Sequence, residues 1–445
     1  MMAVFEDVRS APSHIIDGES LPGGGATFMS SINPFSGETL WSGCAATASD
    51  TEHAVQACHQ AFSGWRATPY EERKAVVLGF ADLVRENLEE LTGLLCAEAG
   101  KTLREARHEV EALIAQGQAC IDAYEAHCPE TVSMAGGRRS STRYVPLGPL
   151  AVIGPFNVPL IRPNGHIMPA LLSGNTVVFK PSEHTPLSGV AMALLWQQAG
   201  LPPGVLNSLS GGQAAGEQLA AHPDIAGVLF VGGHEAGMAV FEAVKHHPDK
   251  VLALDMSGNN PLIVHDVSAA ALEAASRIVI QSAFTSAGQS CLAARRLIVR
   301  SIAGNLVEQV VADCARLQIG DPARADPEPF FGPLITPMAA RRAMDRFRAL
   351  IDAGGVCLLE PKISGPDNTL MSPGIADVTE CIDDMDEEIL APILKVYRYD
   401  NELEDAIALA NDTRFGLSAG IICNDRADRD MASQQIRCGL FTWNQ

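Results

Sequence analysis

Leu150-Ala151-Val152-Ile153-Gly154-Pro155-Phe156-Asn157-Val158-Pro159 is an apolar run that ends in a Gly/Pro turn. Apolar residues without polar alternation fit a strand buried on both faces, and Gly154 and Pro155 stop it. The pattern recurs downstream. Short apolar strands at Thr176–Lys180, Val205–Leu209, Val228–Val231 and Val251–Leu254 alternate with helical segments. This alternation predicts an α/β fold: a parallel, helix-covered sheet with ligands at the carboxyl ends of its strands. A second α/β unit follows, with strands near Pro261–Val264, Arg296–Val299 and Ile393–Tyr399.

Upstream, residues 1–47 read as a loop-rich opening with short strands and a turn at Asn33–Glu38. The pattern turns helical from Thr51. Val76, Val77, Phe80, Leu83, Val84, Leu88, Leu91, Leu94 and Leu95 follow 3–4 spacing, which predicts one helix with one buried face, ended by Gly100. A second helix carries Val110, Leu113, Ile114 and Ile121. Thr131–Met134, the turn Ala135-Gly136-Gly137 and Arg138–Val145 then read as a polar β-hairpin. Such an arm is expected to protrude and meet a partner subunit.

The chain has 445 residues, 47% of them hydrophobic and 19% charged, enough for two or three globular domains. A net charge of −21 argues against nucleic-acid binding, which needs a basic surface. The eleven cysteines are scattered, with no CxxC pair, and read as reduced thiols of a cytoplasmic protein. Met1–Gly25 has no apolar core, so no signal peptide is expected. The most apolar stretch, Val145–Ile161, is broken by Pro146, Pro149, Pro155 and Pro159 and cannot form a membrane helix. The twelve histidines form no HExxH or other metal-binding spacing.

Several segments can carry chemistry. Phe284-Thr285-Ser286-Ala287-Gly288-Gln289-Ser290-Cys291 puts a cysteine on a small Gly-containing turn after a helix-like segment, where backbone N–H groups favour a thiolate nucleophile. Most cysteines in a chain this size are inert core residues. Asn157, fixed between two prolines at a strand end, is placed to donate to a developing oxyanion, or else to bond its own backbone as a turn residue. Lys180 and Glu183 end a buried strand. There a carboxylate can chelate ribose hydroxyls and a Lys can hold a hydroxyl or phosphate, although a surface ion pair is the simpler local reading. Gly232, Gly233, His234, Glu235, Ala236 and Gly237 form a Gly-rich turn and helix start able to bind a pyrophosphate, without being GxGxxG. Asp255, at a strand end before a Ser/Gly/Asn loop, can be a general base or an Asx-turn residue. Gly416-Leu417-Ser418-Ala419-Gly420 matches a nucleophile elbow only in letters, because a strand-like Ile421-Ile422 follows the serine where a helix is required.

In this order, from about Ile32 to Asn444, these pieces resemble the aldehyde dehydrogenase superfamily. Pro163–Leu172, Gly258–Val264 and Gln281–Phe284 are most similar to the branch that acts on N-succinylglutamate 5-semialdehyde in arginine catabolism. The resemblance implies a Rossmann-like NAD-binding domain (residues 1–127 and 147–252), an oligomerisation hairpin (128–146) and a catalytic domain (253–445). It implies Cys291 as the nucleophile that forms a thiohemiacetal, with Asn157 and the Cys291 backbone N–H holding the oxyanion. Hydride passes to NAD, and Asp255 activates water to hydrolyse the thioester. Lys180 and Glu183 fall at the adenosine ribose, where a carboxylate disfavours the 2′-phosphate of NADP. Gly232–Gly237 match the cofactor loop, and Glu388 matches the glutamate that positions the nicotinamide ribose. A homo-oligomer is expected where the family's C-terminal tail is present.

The chain also departs from the family pattern. Asp255 stands where Glu is usual, which shortens the reach by about 1.5 Å. Ser257 replaces Gly, Leu390 and Ala391 replace Phe and Gly, and Ser290 replaces the Arg of the nearest branch. After Phe441-Thr442-Trp443-Asn444-Gln445 the family continues with an active-site loop and a pairing strand. These departures carry a second expectation: an impaired or non-catalytic paralogue that binds NAD or a homologous subunit.

Overall fold

The computed structural model describes residues 8–301, 304–381, 386–400 and 402–444; residues 1–7 and 445 of the expected domains lie outside the described residues. The chain divides into two compact units. One comprises Met1–Asn33, Glu38–Ala99 and Leu103–Met256; the other comprises Pro34–Gly37, Gly100–Thr102 and Ser257–Gln445. The division falls after Met256 rather than after residue 252, because the strand that begins at Val251 continues through Asp255.

The first unit opens with β1 (His14–Ile16), β2 (Glu19–Leu21), β3 (Phe28–Ile32) and β4 (Thr39–Cys44). Helices α1 (Ala48–Ala67), α2 (Tyr70–Glu86), α3 (Leu88–Ala99) and α4 (Leu103–His127) follow. The apolar periodicity of residues 76–95 predicts one helix, but the structure divides it at Asn87. That side chain donates to the Leu83 carbonyl at 2.8 Å, as does the Asn87 backbone N–H at 3.1 Å. A side-chain amide bonding the preceding turn competes with helix continuation. The hairpin of β5 (Thr131–Ala135) and β6 (Arg138–Thr142) forms its own antiparallel two-stranded sheet. Its second strand stops at Thr142 and does not reach Val145 as the sequence predicts.

Then β7 (Pro149–Ile153), α5 (Ile161–Leu172), β8 (Thr176–Lys180), α6 (Pro186–Gln198) and β9 (Leu206–Leu209) alternate. They are followed by α7 (Gln213–Ala221), β10 (Gly227–Gly232), α8 (His234–Val244) and β11 (Val251–Met256). Among the described residues the sheet order is β11-β10-β7-β8-β9-β1-β2, parallel from β11 to β9, with β1 and β2 added antiparallel. Every residue of β7, β8 and β9 is buried, which explains the apolar runs of β7 and β8; β9 buries Asn207 and Ser208 as well. The chain moves outward through β7, β8 and β9, then returns to the other side of β7. The switch point therefore lies between β7 and β10, where open α/β sheets bind ligands. Register aligns the carboxyl ends: Phe230 pairs with Ile153, and Ile153 with Lys180.

The second unit contains β12 (Asn260–Val264), α9 (Leu272–Phe284), β13 (Ala294–Arg300), α10 (Gly304–Cys314) and α11 (Pro337–Asp352). It continues with β14 (Val356–Leu359), the pair β15 (Ile363–Ser364) and β16 (Leu370–Met371), β17 (Gly374–Asp377) and β18 (Ile393–Tyr399). It ends with α12 (Leu403–Asn411), β19 (Ser418–Ile422), α13 (Arg426–Gln435) and β20 (Leu440–Trp443). Its sheet order is β14-β17-β18-β13-β12-β19-β20, parallel except for β14. Ser418 opens β19 instead of following a strand, so it does not sit on a nucleophile elbow.

Buried acids in the first unit serve as caps. Thr185, before α6, makes no side-chain cap bond. The fully buried Glu98 carboxylate instead accepts from the Leu187 and Ser188 N–H groups, both at 2.8 Å, and from the Ser188 and Ser31 hydroxyls at 2.6 and 2.8 Å. Glu98→Ala strands those donors in the core and is expected to destabilise the protein by about 3 kcal/mol in urea unfolding, with Glu98→Gln losing less. An unchanged midpoint would refute the capping role.

Candidate active site

The first unit carries one set of site residues on its sheet edge. The turn from β7 to α5 presents Asn157, which is partly exposed. The buried Glu109 of α4 accepts from the Leu160 N–H at 2.9 Å and the Ile161 N–H at 3.3 Å, and so fixes the start of α5 just after Asn157. Phe156 packs edge-on against His184 with centroids 5.9 Å apart.

Lys180 ends β8 but is not part of a surface ion pair. It is 4% exposed, and its ammonium donates to the carbonyls of Pro181 at 2.7 Å and Gly211 at 2.8 Å. An ammonium has three donors, so one remains for a further acceptor. Glu183 lies 4.0 Å away with its side chain half exposed. Burial, opposed by Glu183, pulls the Lys180 pKa down to about 8. A spare buried donor beside an exposed carboxylate suits a vicinal diol, which both donates and accepts.

The turn from β10 to α8 is glycine-rich because two close approaches demand it. A Cβ on Gly232 would lie 2.6 Å from the Phe230 ring, and one on Gly237 would lie 2.2 Å from Met256 Sδ. Gly233, the N-cap of α8, has no side-chain cap bond, and a Cβ there would meet nothing within 4 Å. That leaves an open, uncapped helix start suited to an anion, with Glu235 in the first turn opposing it. His234 and Ala236 complete that turn. Asp255 is partly exposed near the end of β11, opposite Val231. Its negative charge also acts on His166 of α5, whose pKa is held low by burial and by the Arg162 charge despite Asp255. A dinucleotide therefore fits the chemistry of this edge: a diol partner at β8 and an anion seat at α8.

The second unit carries the thiol. After α9, Ser286, Ala287 and Gly288 take left-handed φ values of 55°, 54° and 68°. Cys291 follows, partly buried. The Asn260 side-chain amide donates to the carbonyls of Cys291 at 2.6 Å and Ala293 at 2.9 Å, and its oxygen accepts from the Ser418 N–H at 3.1 Å. Gly258 closes the same clasp, since a Cβ there would lie 2.4 Å from the Cys291 carbonyl oxygen.

Arg295, at the start of β13, is 2% exposed. Its guanidinium donates to the Gly288 carbonyl, to Ser290 O at 3.1 Å and to Ala391 O at 3.0 Å, and it lies 3.9 Å from the Glu388 carboxylate. Burial lowers its pKa, and the charges of Glu388 and Cys291 oppose that shift. An arginine cannot lose its proton in a protein, so Cys291 has a permanent cation as an electrostatic neighbour. Burial pushes the Cys58 and Cys314 thiols up to about 12.

The structure thus brings Asn157, Lys180, Glu183, Gly232–Gly237 and Asp255 to one sheet edge in the first unit. In the second it links Cys291 and Glu388 through Arg295. Sequence reading missed Arg295; its signal was a pair of arginines, Arg295 and Arg296, directly before the apolar Leu297–Val299. Among the described residues, no group of three or more His, Cys, Asp or Glu is placed to hold a metal ion, and no helix is long and apolar enough to cross a membrane.

Residues 22–445 match the model of the aldehyde dehydrogenase family, and the chain belongs to that family; it is an oxidoreductase that acts on aldehydes. It is 43% identical to the N-succinylglutamate 5-semialdehyde dehydrogenase of Enterobacter sp. (strain 638), over 93% of this chain and 83% of that protein. It is also 43% identical to the protein of that name from Escherichia coli (strain K12), over 97% and 87%. Among solved structures, an NAD-dependent aldehyde dehydrogenase from Sinorhizobium meliloti superposes with a TM-score of 0.92 at 27% identity, covering 98% of this chain and 88% of that one. A complex of PnpE with nicotinamide adenine dinucleotide superposes with a TM-score of 0.91 at 29% identity, covering 97% and 89%. An NADP-dependent enzyme of E. coli also reaches 0.91, at 28% identity, covering 98% and 90%. The family is served by NAD or NADP.

Gly258→Ala forces the Cys291 carbonyl aside. Turnover and the rate of iodoacetamide alkylation of Cys291 are expected to fall together, turnover by about 100-fold, while circular dichroism is unchanged. Unaltered rates would show that this clasp does not set the sulfur's position.

Proposed function

We propose that the chain oxidises an anionic semialdehyde, N-succinylglutamate 5-semialdehyde, to its carboxylic acid with NAD and Cys291 as nucleophile. The observation that carries the reading is the partly buried Cys291, held through its carbonyl by Asn260 and set beside the buried Arg295 cation. The Cys291 sulfur attacks the aldehyde carbon and forms a thiohemiacetal. Asn157 and the Cys291 backbone N–H donate to the developing oxyanion. When bound, the dinucleotide supplies the hydride acceptor that lets the thiohemiacetal become a thioester. Asp255 then takes a proton from water, whose oxygen attacks the thioester carbon and releases the acid and the Cys291 thiolate.

For the cofactor, Lys180 and Glu183 hold the adenosine ribose, Gly232–Gly237 seat the pyrophosphate and Glu388 holds the nicotinamide ribose. Glu183 selects NAD, since a 2′-phosphate would meet its carboxylate. The names of the relatives support the substrate, and Arg162, beside the Asn157 turn, is the candidate for a substrate carboxylate. The exposed hairpin, with strand edges unpaired among the described residues and Arg138, Arg139 and Arg143, is the surface for a second copy of this acidic chain. The free thiols fit a cytoplasmic setting.

With N-succinylglutamate 5-semialdehyde and NAD, the purified chain is expected to form NADH, and Cys291→Ala to abolish it. Turnover retained by that variant would sink the mechanism. The shorter Asp255 favours a second reading, in which acylation outruns hydrolysis. A burst of NADH followed by slow turnover, relieved by up to about 100-fold in Asp255→Glu, distinguishes it.

The Lys180 assignment predicts a pH dependence. Below about 8 the ammonium has three donors; above it the amine has two, both engaged by the Pro181 and Gly211 carbonyls. Affinity for NADH is expected to fall about tenfold as pH rises through that value, the loss of one charge-assisted bond. Glu183 faces the ammonium, and His184 is kept neutral in this range by burial, despite Glu183 and with help from Lys180. The inflection disappears in Lys180→Arg, which stays charged; an unchanged inflection assigns it elsewhere.

A further inference from the structure

We propose that Asp386 is a positioning residue for this reaction, a latch that ties the loop bearing Glu388 to the segment that holds Cys291. The inference rests on the roles proposed above for those two residues. One Asp386 oxygen accepts from the Asn259 side-chain amide at 2.9 Å and from the Thr413 hydroxyl at 2.6 Å. The other accepts from the Arg414 N–H at 2.8 Å and lies 3.9 Å from the Arg414 guanidinium. One carboxylate therefore gathers three loops: the one before β12, the one before β18 and the one between α12 and β19.

The link reaches the site by two short routes. Asn259 is 1% exposed and its side-chain amide donates to Asp386, while its own amide oxygen is buried and unbonded among the described residues. Its neighbour Asn260 is the residue that clasps the Cys291 and Ala293 carbonyls. In the other direction, Asp386 stands two residues before Glu388, which lies 3.9 Å from Arg295; Arg295 in turn binds Gly288, Ser290 and Ala391. Arg295 thus closes the inner side of a ring and Asp386 the outer side. With Asp386 removed, the Glu388 loop keeps its tie to Arg295 but loses its tie to Asn259, Thr413 and Arg414.

A latch of this kind acts on the placement of the cofactor-binding loop more than on the thiol. In Asp386→Ala, NADH affinity measured by fluorescence titration without aldehyde is expected to fall about tenfold, with an equal rise in KM for NAD. KM for the aldehyde and the rate of Cys291 alkylation by iodoacetamide should move by less than about threefold. Asp386→Asn keeps one acceptor oxygen and should fall between the two. It is the deciding variant if the alanine protein does not fold. Asn259→Ala should reproduce part of the NADH loss, and the double variant should be no worse than Asp386→Ala alone, because the two residues share one bond. Wild-type NADH affinity in a folded Asp386 variant, or fully additive losses in the double variant, overturns the proposal. A wild-type chain that binds no NADH overturns the functional reading itself, whatever the variants do.

Discussion

Arg295 enters the second unit's core carrying a charge that it cannot shed, so the surrounding chain has to satisfy it. Its two terminal nitrogens meet carbonyls from two segments distant in sequence, Gly288 and Ser290 on one side and Ala391 on the other, with the Glu388 carboxylate nearby, while its Nε stays buried without a partner among the described residues. The Gly288 and Ser290 carbonyls lie on a turn in which Ser286 and Ala287 adopt left-handed backbone, at about 1–2 kcal/mol per residue with a Cβ, or about 2–4 kcal/mol for the two. Leaving a buried guanidinium unpaired costs about 3–5 kcal/mol, a comparable amount. The buried charge offsets the strain of the cysteine turn and ties the 386–391 loop to it.

The first unit solves a different problem by the same accounting. Parallel strands bring β7, β8 and β10 to a common edge, and every functional side chain there must be held without blocking it. Lys180 is held by two backbone carbonyls, which leaves one donor uncommitted. Gly232 and Gly237 let α8 close on Phe230 and Met256, where any side chain would collide. The acids divide by burial. Glu98 and Glu109 are buried; Glu98 turns both oxygens and Glu109 one to the starts of α6 and α5. Asp255 stays partly exposed at the sheet edge, where water can reach it.

Much of this was legible in the sequence. The alternation of buried strands with helices specified the α/β class, and Thr176–Lys180 and Ile393–Tyr399 begin and end where the sequence predicts. Elsewhere local pattern misled. Apolar periodicity carries through Asn87, yet that side chain bonds Leu83 and divides the helix. Lys180 beside Glu183 reads as a surface pair, but whether a lysine is buried depends on what packs over it, here Gly216 against its stem and Gly211 on its ammonium. Arg295 and Asp386 gave little signal, because their partners are mostly backbone groups or loops dozens of residues away, and a backbone carbonyl has no sequence identity.

Residue order and chemistry by themselves determined the fold class, the positions of the glycine turns and the presence of a cysteine, an asparagine and acids of the right type for aldehyde oxidation. Only tertiary structure decided which cysteine has a buried cation for a neighbour, which acids are consumed as caps and which lysine donor is left over. The physical reason is that hydrophobic periodicity is written locally, within a few residues. The satisfaction of a buried polar group is a condition on the whole fold, met by whichever groups the chain brings to that point.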